Sequence, residues 1–296
     1  MPRILCIGDL MLDVMVLIDS QINYGSDTKA SITTHGGGAA ANTATWLAAQ
    51  GNEVFFVSRA GSDAAADTVI AELDAWGISH KELRIKDTRT GVVVVIVDET
   101  GQRTMFPDSG ANSGLGISDL PELSGFDAAF LSGYSLFNEA STIGVEQIIK
   151  EIRNSGIPLF FDPASVGTMS AFGKSRVLSY LNQIDVLLLN EDEALFLTDS
   201  QNYEQALSKL SEIVNTVIIK LSDKGAIGKT IESDTKIVPA DYVPPVDTTG
   251  AGDAFAAGFI PEWITTNALE SAILAGNQLA AKCVANIGAR PSVNPK

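Results

Sequence analysis

The sequence predicts an α/β protein, built as a doubly wound, mainly parallel sheet with helices on both faces and a small β-sheet lid. From residue 127 onward, short apolar strand candidates alternate with helical patterns, which indicates a parallel sheet covered on both faces. Residues 10–35 and 88–110 break this alternation with consecutive β patterns, so we assign both segments to the lid. Because no long polar, Pro-rich or Ser-rich linker divides the chain, we expect one domain spanning 1–296.

Each element has its own signal in the sequence. In the first half, apolar or β-branched runs predict strands at 3–8, 14–18, 53–58, 92–97 and 103–107, and longer runs predict helices at 43–50 and 64–76. A hairpin-like turn at 99–101 joins two of these strands. The second half repeats βα units, with strands at 128–132, 158–162, 186–189 and 217–220 and helices that include 139–154 and 203–214. Such sheets bind ligands at the carboxyl ends of their strands.

The composition excludes several classes of partner. The 20 basic and 36 acidic side chains give a net charge of −16, which repels nucleic acid and anionic membrane surfaces. No apolar run is long enough to span a bilayer, and the first residues pass into a strand without a signal-peptide pattern. Cys6 and Cys283 lack the spacing of a zinc site. We expect a reduced, cytoplasmic protein without nucleic-acid or membrane partners.

The run from Asp247 to Phe259 combines a glycine turn, an acid and the start of an apolar helix. Backbone N–H groups of Gly250, Ala251 and Gly252 would converge at the positive end of the helix dipole, which favours an anion. A carboxylate there is unfavourable beside phosphate unless it accepts a proton from an attacking hydroxyl group, the role that we assign to Asp253. These residues alone are equally compatible with an ordinary turn and a helix-stabilising acid.

A second motif lies far upstream, where residues 37–42 read Gly-Gly-Ala-Ala-Ala-Asn before a predicted helix. Together the two motifs closely resemble the C-terminal signature and the N-terminal Gly-Gly-x-x-x-Asn element of the ribokinase-like (PfkB) family of sugar and nucleoside kinases. The resemblance extends from Gly8 to Ser292. It implies ATP-dependent phosphorylation of a hydroxymethyl group on a small-molecule acceptor, a sugar or related polyol, with ATP and Mg²⁺ as cofactors and Asp253 as the catalytic base.

The resemblance also implies an acceptor site at the first strand and the glycine pair. Asp13 matches the family's sugar-binding aspartate, whose carboxylate would accept hydrogen bonds from vicinal hydroxyl groups. Gly37 and Gly38 would let the backbone approach the sugar, and the Asn42 amide offers a donor and an acceptor. The residues alone are also compatible with a strand-end acid at position 13 and a helix N-cap at position 42.

This chain departs from ribokinases at three acceptor positions. Met11 and Ala39 stand where ribokinases carry an asparagine and a lysine, and Tyr134 lies near the position of a sugar-binding glutamate. The pocket is therefore more apolar or aromatic, which could suit a different ketose or aldose, or a nucleoside whose base stacks on Tyr134 or Phe137. Arg103 in the lid could meet a carboxylate or phosphate on an acidic substrate, or lie in solvent.

Residues that follow a strand are the candidates for holding Mg²⁺. Asn190 and Glu193 come directly after the strand at 186–189 and match the family's Asn-x-x-Glu element. A carboxylate and an amide there suit the water shell of Mg²⁺, and Asp162 at the end of another strand is a further candidate. Acidic residues at a helix N-terminus are also stabilising without a ligand, so the residues alone leave that alternative open.

The remaining resemblance concerns the nucleotide and a monovalent cation. Lys220, Ser222 and Gly225 lie in a segment that resembles the family's nucleotide loop, and Asn277 in the last helix matches the position that flanks adenine. The positions that surround K⁺ in K⁺-dependent members correspond to Asp247, Thr249, Gly288 and Ser292. An ordinary turn is equally compatible with these four residues.

Two further expectations concern assembly and rival functions. The strand at 92–97 has no polar alternation, so a lid that carries it needs both faces covered, and we expect a homodimer through the lid. The rivals are a nucleoside kinase on the same fold and a non-catalytic module that senses a sugar or nucleotide. The intact Gly-Ala-Gly turn with Asp253 argues against the sensing module, because a sensor needs no base.

Overall fold

The computed structural model describes residues 1–81, 83–100 and 102–292. Within these residues it confirms the predicted α/β class, with a nine-stranded main sheet, helices on both faces and a separate four-stranded lid sheet. The strands are β1 (Arg3–Ile7), β2 (Met11–Leu17), β3 (Ser31–Gly37), β4 (Glu53–Val57), β5 (Ser79–His80), β6 (Gly91–Val97), β7 (Arg103–Asp108), β8 (Ala128–Ser132), β9 (Leu159–Asp162), β10 (Val186–Asn190), β11 (Thr216–Lys220), β12 (Ala226–Thr230) and β13 (Lys236–Val238). The α-helices are α1 (Ala39–Ala49), α2 (Ala64–Ala75), α3 (Gly133–Leu136), α4 (Thr142–Ser155), α5 (Val166–Phe172), α6 (Lys174–Leu181), α7 (Glu191–Thr198), α8 (Tyr203–Leu210), α9 (Ala251–Thr266) and α10 (Leu269–Val284). Across the described residues, no helix is both long enough and apolar enough to cross a membrane.

The main sheet is parallel over most of its width. Its strand order is β13-β12-β11-β10-β9-β8-β1-β4-β5, and β12 and β13 at one edge pair antiparallel. Adjacent residues of β9 show how both faces are covered. Phe160 belongs to the buried cluster formed with α1, α2, α9 and α10, whereas Phe161 belongs to the cluster formed with α4 to α8. Side chains alternate across a strand, so a sheet that is buried on both faces needs the continuous apolar strands seen in the sequence.

The lid sheet has the strand order β3-β2-β6-β7. Asp13 pairs with Val93 near one end of the lid, and Val97 pairs with Arg103 at the other end. Because paired residues point to the same face and successive residues alternate, Asp13, Val93 and Arg103 share one face of the lid. We call this the inner face. Gly101, in the predicted turn between β6 and β7, lies outside the described residues.

Two helices begin at other residues than expected, each because a side chain accepts a hydrogen bond near the helix start. Helix α1 begins at Ala39 instead of residue 43, because the Asp9 carboxylate accepts a hydrogen bond from Ala39 N (2.7 Å) and caps the helix. Asn42 is therefore inside the helix and is not its N-cap. Helix α4 begins at Thr142 instead of residue 139, because the Asn138 side chain accepts a hydrogen bond from Ala140 N (3.1 Å) and forms a turn.

Candidate active site

The turn before helix α9 presents backbone N–H groups to an anion. Gly250 has a left-handed conformation (φ 78°), and a Cβ there would lie 2.6 Å from that of Ala289, so this position requires glycine. A hydrogen bond from Ala254 N to Gly250 O (2.9 Å) closes the first turn of the helix. The N–H groups of Gly252 and Asp253 precede it, at the positive end of the helix dipole. The predicted glycine turn and Asp253 thus lie together at the N-terminus of α9.

Asp253 lies against the side chain of Asn42 from helix α1. Asn42 Nδ2 donates a hydrogen bond of 2.9 Å to Asp253 Oδ2. Burial raises the pKa of Asp253 well above its ordinary range; the Asn42 hydrogen bond lowers it, and the Asp162 and Asp9 carboxylates raise it further. A carboxylate with a raised pKa is a better proton acceptor, which is the property that a general base needs.

Asp13 on β2 is the candidate ligand for acceptor hydroxyl groups. Burial raises its pKa to about 6; the Arg290 charge lowers this pKa, and the Asp9 and Glu72 charges raise it. Among the described residues no side chain or backbone group forms a hydrogen bond with the Asp13 carboxylate. Its oxygens are therefore available to a ligand.

The glycine pair lets the Asp13 carboxylate and the Asp9 backbone approach the chain closely. A Cβ at Gly37 would lie 2.2 Å from Asp13 Oδ1, and a Cβ at Gly38 (φ 96°) would lie 2.4 Å from Asp9 O. Any larger residue at either position would displace these acids. Asp9 was not among the predicted site residues. Its signal in the sequence is an acid that directly follows the first buried strand.

Tyr134 stands among these acids on the short helix α3. Its side chain is 40% exposed. Burial raises the pKa of Tyr134 to about 12, and the charges of Asp9 and Asp253 act in the same direction. The ring therefore lies beside the acidic residues of the candidate acceptor site and can be reached by a ligand.

The carboxyl ends of β9, β10 and β11 bring together two acids and a lysine. Lys220 Nζ donates a hydrogen bond of 2.7 Å to Asp162 Oδ2. Burial lowers the pKa of Lys220, but the Asp162 and Glu193 carboxylates outweigh burial and raise it. Burial and Asp162 in turn raise the pKa of Glu193 to about 7, while Lys220 lowers it. The lysine thus balances part of the negative charge at this edge of the sheet.

Asn190 and Glu193 also cap helix α7, so they stabilise the start of this helix whether or not a ligand is bound. Glu193 N donates to Asn190 Oδ1 (2.9 Å), and Asn190 N donates to Glu193 Oε2 (2.8 Å). Within the described residues, no three His, Cys, Asp or Glu side chains are grouped to hold a metal ion directly. Carboxylate and amide oxygens such as those of Asp162, Asn190 and Glu193 are of the type that holds the water shell of Mg²⁺.

The predicted nucleotide loop packs against the segment that follows β13. Ser222 has a positive φ of 57°, and a Cβ at Gly225 would lie 2.1 Å from Val238 O. Asn277 is buried on α10 and donates to Val238 O (3.0 Å) and Pro239 O (3.3 Å). The Asn277 amide therefore fixes the segment on which the loop lies, and Gly225 and Asn277 contact that segment from two different elements.

Arg103 binds Asp247 and not an open acceptor space. Arg103 Nη2 lies 2.6 Å from Asp247 Oδ1. The same carboxylate accepts hydrogen bonds from Thr249 N and Gly288 N (2.9 Å each). Burial raises the pKa of Asp247, but these N–H groups and the Arg103 charge outweigh it and hold the pKa below its ordinary value. The Arg103 guanidinium thus binds the Asp247 carboxylate, which was expected to bind K⁺. Ser292, the fourth residue predicted for the K⁺ site, is exposed.

The whole chain is similar to one family of known proteins. The family model described as pfkB family carbohydrate kinase matches residues 1–296. A fructokinase from Vibrio alginolyticus is 28% identical over 292 residues, which cover 94% of this chain and 95% of the relative. A fructokinase from Vibrio cholerae O395, solved with fructose, ADP and calcium bound, has a TM-score of 0.83 and 25% identity over 99% of this chain and 96% of that one.

An adenosine kinase from Sinorhizobium meliloti shares the fold, with a TM-score of 0.88 at 22% identity over 98% of this chain and 96% of that one. The family match spans every residue of the chain and confirms the resemblance carried by the two sequence motifs. The chain therefore belongs to the pfkB family of carbohydrate kinases.

Proposed function

We propose that this ATP-dependent sugar kinase uses Asp253 to take the proton from a hydroxymethyl group of an uncharged sugar or related polyol. The observation that carries the proposal is the placement of Asp253. Its carboxylate accepts a hydrogen bond from Asn42 and shares the first turn of α9 with N–H groups that favour an anion. A carboxylate beside a phosphate is unfavourable unless it accepts a proton during the reaction.

The charges near the acceptor favour a neutral molecule. Asp9 and Asp13 are close enough for their charges to repel, so an anionic acceptor would add to this repulsion. The arginines that could neutralise it, Arg103 and Arg290, already bind Asp247 and Glu72. In this proposal the acceptor-binding residues are Asp13, Gly37, Gly38, Asn42 and Tyr134.

As a member of this family, the chain uses ATP and a divalent metal ion. In the proposed reaction the acceptor oxygen attacks the γ-phosphorus of ATP while its proton moves to an Asp253 oxygen. The bond between the γ-phosphorus and the β,γ-bridging oxygen breaks, and ADP leaves. The N–H groups of residues 250–253 stabilise negative charge on the transferred group. Lys220, Ser222, Gly225 and Asn277 form the nucleotide side of the site. Bound Mg²⁺ would neutralise phosphate charge, with its water shell held by Asp162, Asn190 and Glu193.

The proposal includes a cytoplasmic homodimer that forms through the lid. The face of the lid opposite Asp13, which we call the outer face, carries Val94, its partner Phe106 and Ile32. Phe106 is 55% exposed and Ile32 is 62% exposed. Contiguous exposed apolar side chains of this kind favour association with a second subunit.

A phosphorylation assay with ATP and a panel of acceptors tests the function. The panel contains neutral pentoses, ketohexoses, nucleosides and keto-deoxy acids. We expect turnover with a neutral sugar, phosphate on a hydroxymethyl carbon by NMR, and a kcat lowered by roughly 10²–10⁴-fold in Asp253→Asn without a loss in Tm. Turnover of nucleosides alone would favour the nucleoside kinase instead. Ligand binding without any turnover would favour the sensing module.

A further inference from the structure

Arg290 lies at the centre of a hydrogen-bond chain that ends on Asp253. Its side chain is 9% exposed. Nε donates to Asn42 Oδ1 (2.9 Å), Nη1 to Glu72 Oε2 (2.8 Å) and Nη2 to Gly37 O (2.8 Å). Each guanidinium nitrogen thus has its own acceptor, which fixes the plane of the group.

The arginine determines which way the Asn42 amide faces. A guanidinium has no acceptor, so it can bind the amide oxygen of Asn42 but not the amide nitrogen. With Oδ1 on Arg290, Nδ2 is left to donate to Asp253 Oδ2 at 2.9 Å. A rotated amide would set its N–H groups against Arg290 and its oxygen against the Asp253 carboxylate. Both of those contacts are repulsive, so Arg290 selects the orientation that serves Asp253.

Several parts of the fold accommodate this arginine. A Cβ at Gly36 would lie 2.0 Å from Arg290 Nη1, so a larger residue at 36 would displace the guanidinium. Gly36 N also donates to both Glu72 carboxylate oxygens (3.1 Å each), which holds Glu72 in place for Arg290. Trp46 Nε1 of α1 donates to Ala289 O (2.9 Å) and fixes the preceding residue. Helices α1 and α2 and strand β3 together position the side chain.

We propose that Arg290 is a positioning residue that acts through Asn42 to hold the Asp253 carboxylate in the orientation that accepts the proton of the sugar hydroxyl group. The proposal rests on the role of Asp253 as base. It assigns Arg290 no contact with the nucleotide, which the proposed function places at Ser222 and Gly225. Loss of Arg290 should therefore affect kcat and not the KM for ATP.

A double-mutant cycle tests the connection. The variants are Asn42→Ala, Arg290→Gln and the double variant, with Asp253→Asn as the reference for a lost base. Misplacement of a reacting group by about 1 Å can cost about a hundredfold, so we expect Arg290→Gln to lower kcat by roughly ten- to a hundredfold. The KM for ATP should stay unchanged. The double variant should be no slower than Asn42→Ala alone, because both changes break one connection.

The control is Arg153→Gln, which removes an exposed arginine on α4 that donates to Asn182 O (3.3 Å) and should keep wild-type kcat. Arg290→Lys covers the case in which the glutamine variant does not fold. It retains a charge for Glu72, yet an ammonium cannot bind three acceptors in one plane, so kcat should still fall.

If the losses in kcat of the two single variants multiply in the double variant, the positioning role of Arg290 is wrong. The role of Asp253 as the base is not affected by that result. Wild-type kcat in folded Arg290→Gln or Arg290→Lys would lead to the same conclusion. Wild-type turnover of Asp253→Asn is a different result, because it would overturn the base and the hydrogen-bond chain together. The two failures are therefore distinguishable in one set of measurements.

Discussion

The Nζ atom of Lys220 lies 3.1 Å from the point where a side chain at Gly252 would begin. The lysine at the end of β11 thus lies beside the first turn of α9, although its own hydrogen bond goes to Asp162. A cation and the helix N-terminus face the same space, and both stabilise a phosphate there. The size of residue 252 therefore controls how closely the Lys220 ammonium group can approach the N-terminus of α9.

Gly252→Ala should therefore change activity and stability in opposite directions. Gly252 is inside helix α9 and its φ is not positive, so alanine fits the backbone and should stabilise the helix by about 0.5–1 kcal/mol. The new methyl group should displace Lys220 and lower kcat. Tm and kcat are measured beside Gly167→Ala in α5, where a Cβ meets no atom within 4 Å. Equal activity in the two variants would contradict this reading of the turn.

Arg103→Met should raise the KM for the acceptor several-fold. The Arg103–Asp247 ion pair joins the far end of the lid to the loop before α9, so its loss should favour an open lid. Arg89→Met is the control, because the Arg89 side chain is 86% exposed and lies 3.7 Å from Asp108. Potassium chloride should partly restore the Arg103→Met variant and leave the wild type unchanged. An unaltered KM would show that the pair does not hold the lid.

Acceptor binding should weaken as the pH falls below about 6, the raised pKa of Asp13. A protonated Asp13 loses the negative charge that attracts hydroxyl donors. The measurement is acceptor KM against pH, and Asp13→Asn should bind poorly with no such dependence. A wild-type KM that is constant from pH 5 to 8 would exclude Asp13 as the acceptor ligand.

The raised pKa of Asp13 also predicts how stability depends on pH. Its pKa in the folded protein, about 6, lies above its ordinary value of 3.8, so the folded state binds more protons between these values. Its contribution to stability is therefore greatest below pH 3.8 and is lost as the pH rises through 6. Asp13→Asn should raise Tm at pH 8 and have little effect on Tm at pH 4. A lower Tm for Asp13→Asn at pH 8 would contradict the conclusion that burial of the charged Asp13 carboxylate is destabilising.

Val94→Lys should dissociate the proposed dimer, whereas Val93→Lys should weaken acceptor binding. Val94 pairs with Phe106 on the outer face of the lid, and Val93 pairs with Asp13 on the inner face. Neighbouring residues of one strand thus provide matched variants on opposite faces. Light scattering and acceptor KM separate the two effects. A wild-type monomer at micromolar concentration would rule out the dimer.

Local motifs in the sequence predicted the class of fold and the turn that carries Asp253. Both depend on residues that are close together in the chain: the apolar strands with the helices between them, and the Gly-Ala-Gly turn before Asp253. The acids after β9 and β10 were predicted for a related reason, because parallel strands end at one edge of the sheet. The fold class and the family are confirmed, while the roles of these site residues stay predictions.

The contacts of Arg103 and Arg290 could not be predicted in the same way. Nothing near either residue in the chain specifies its partner, since Asp247 and Asn42 come close only when the lid and the helices have packed. The start of α1 was missed for the same reason, because its capping acid, Asp9, belongs to another element. Single-sequence patterns report local structure, and these contacts are tertiary.

The bond between Arg290 and Asn42 joins residues 248 positions apart. A growing polypeptide that has reached α9 already contains Asp13, the glycine turn and Asp253. In the proposed mechanism the base is not yet oriented at that stage, because residue 290 has not been synthesised. A partly made chain on the ribosome would therefore turn over ATP more slowly, and the full rate would be reached only when this last contact has formed.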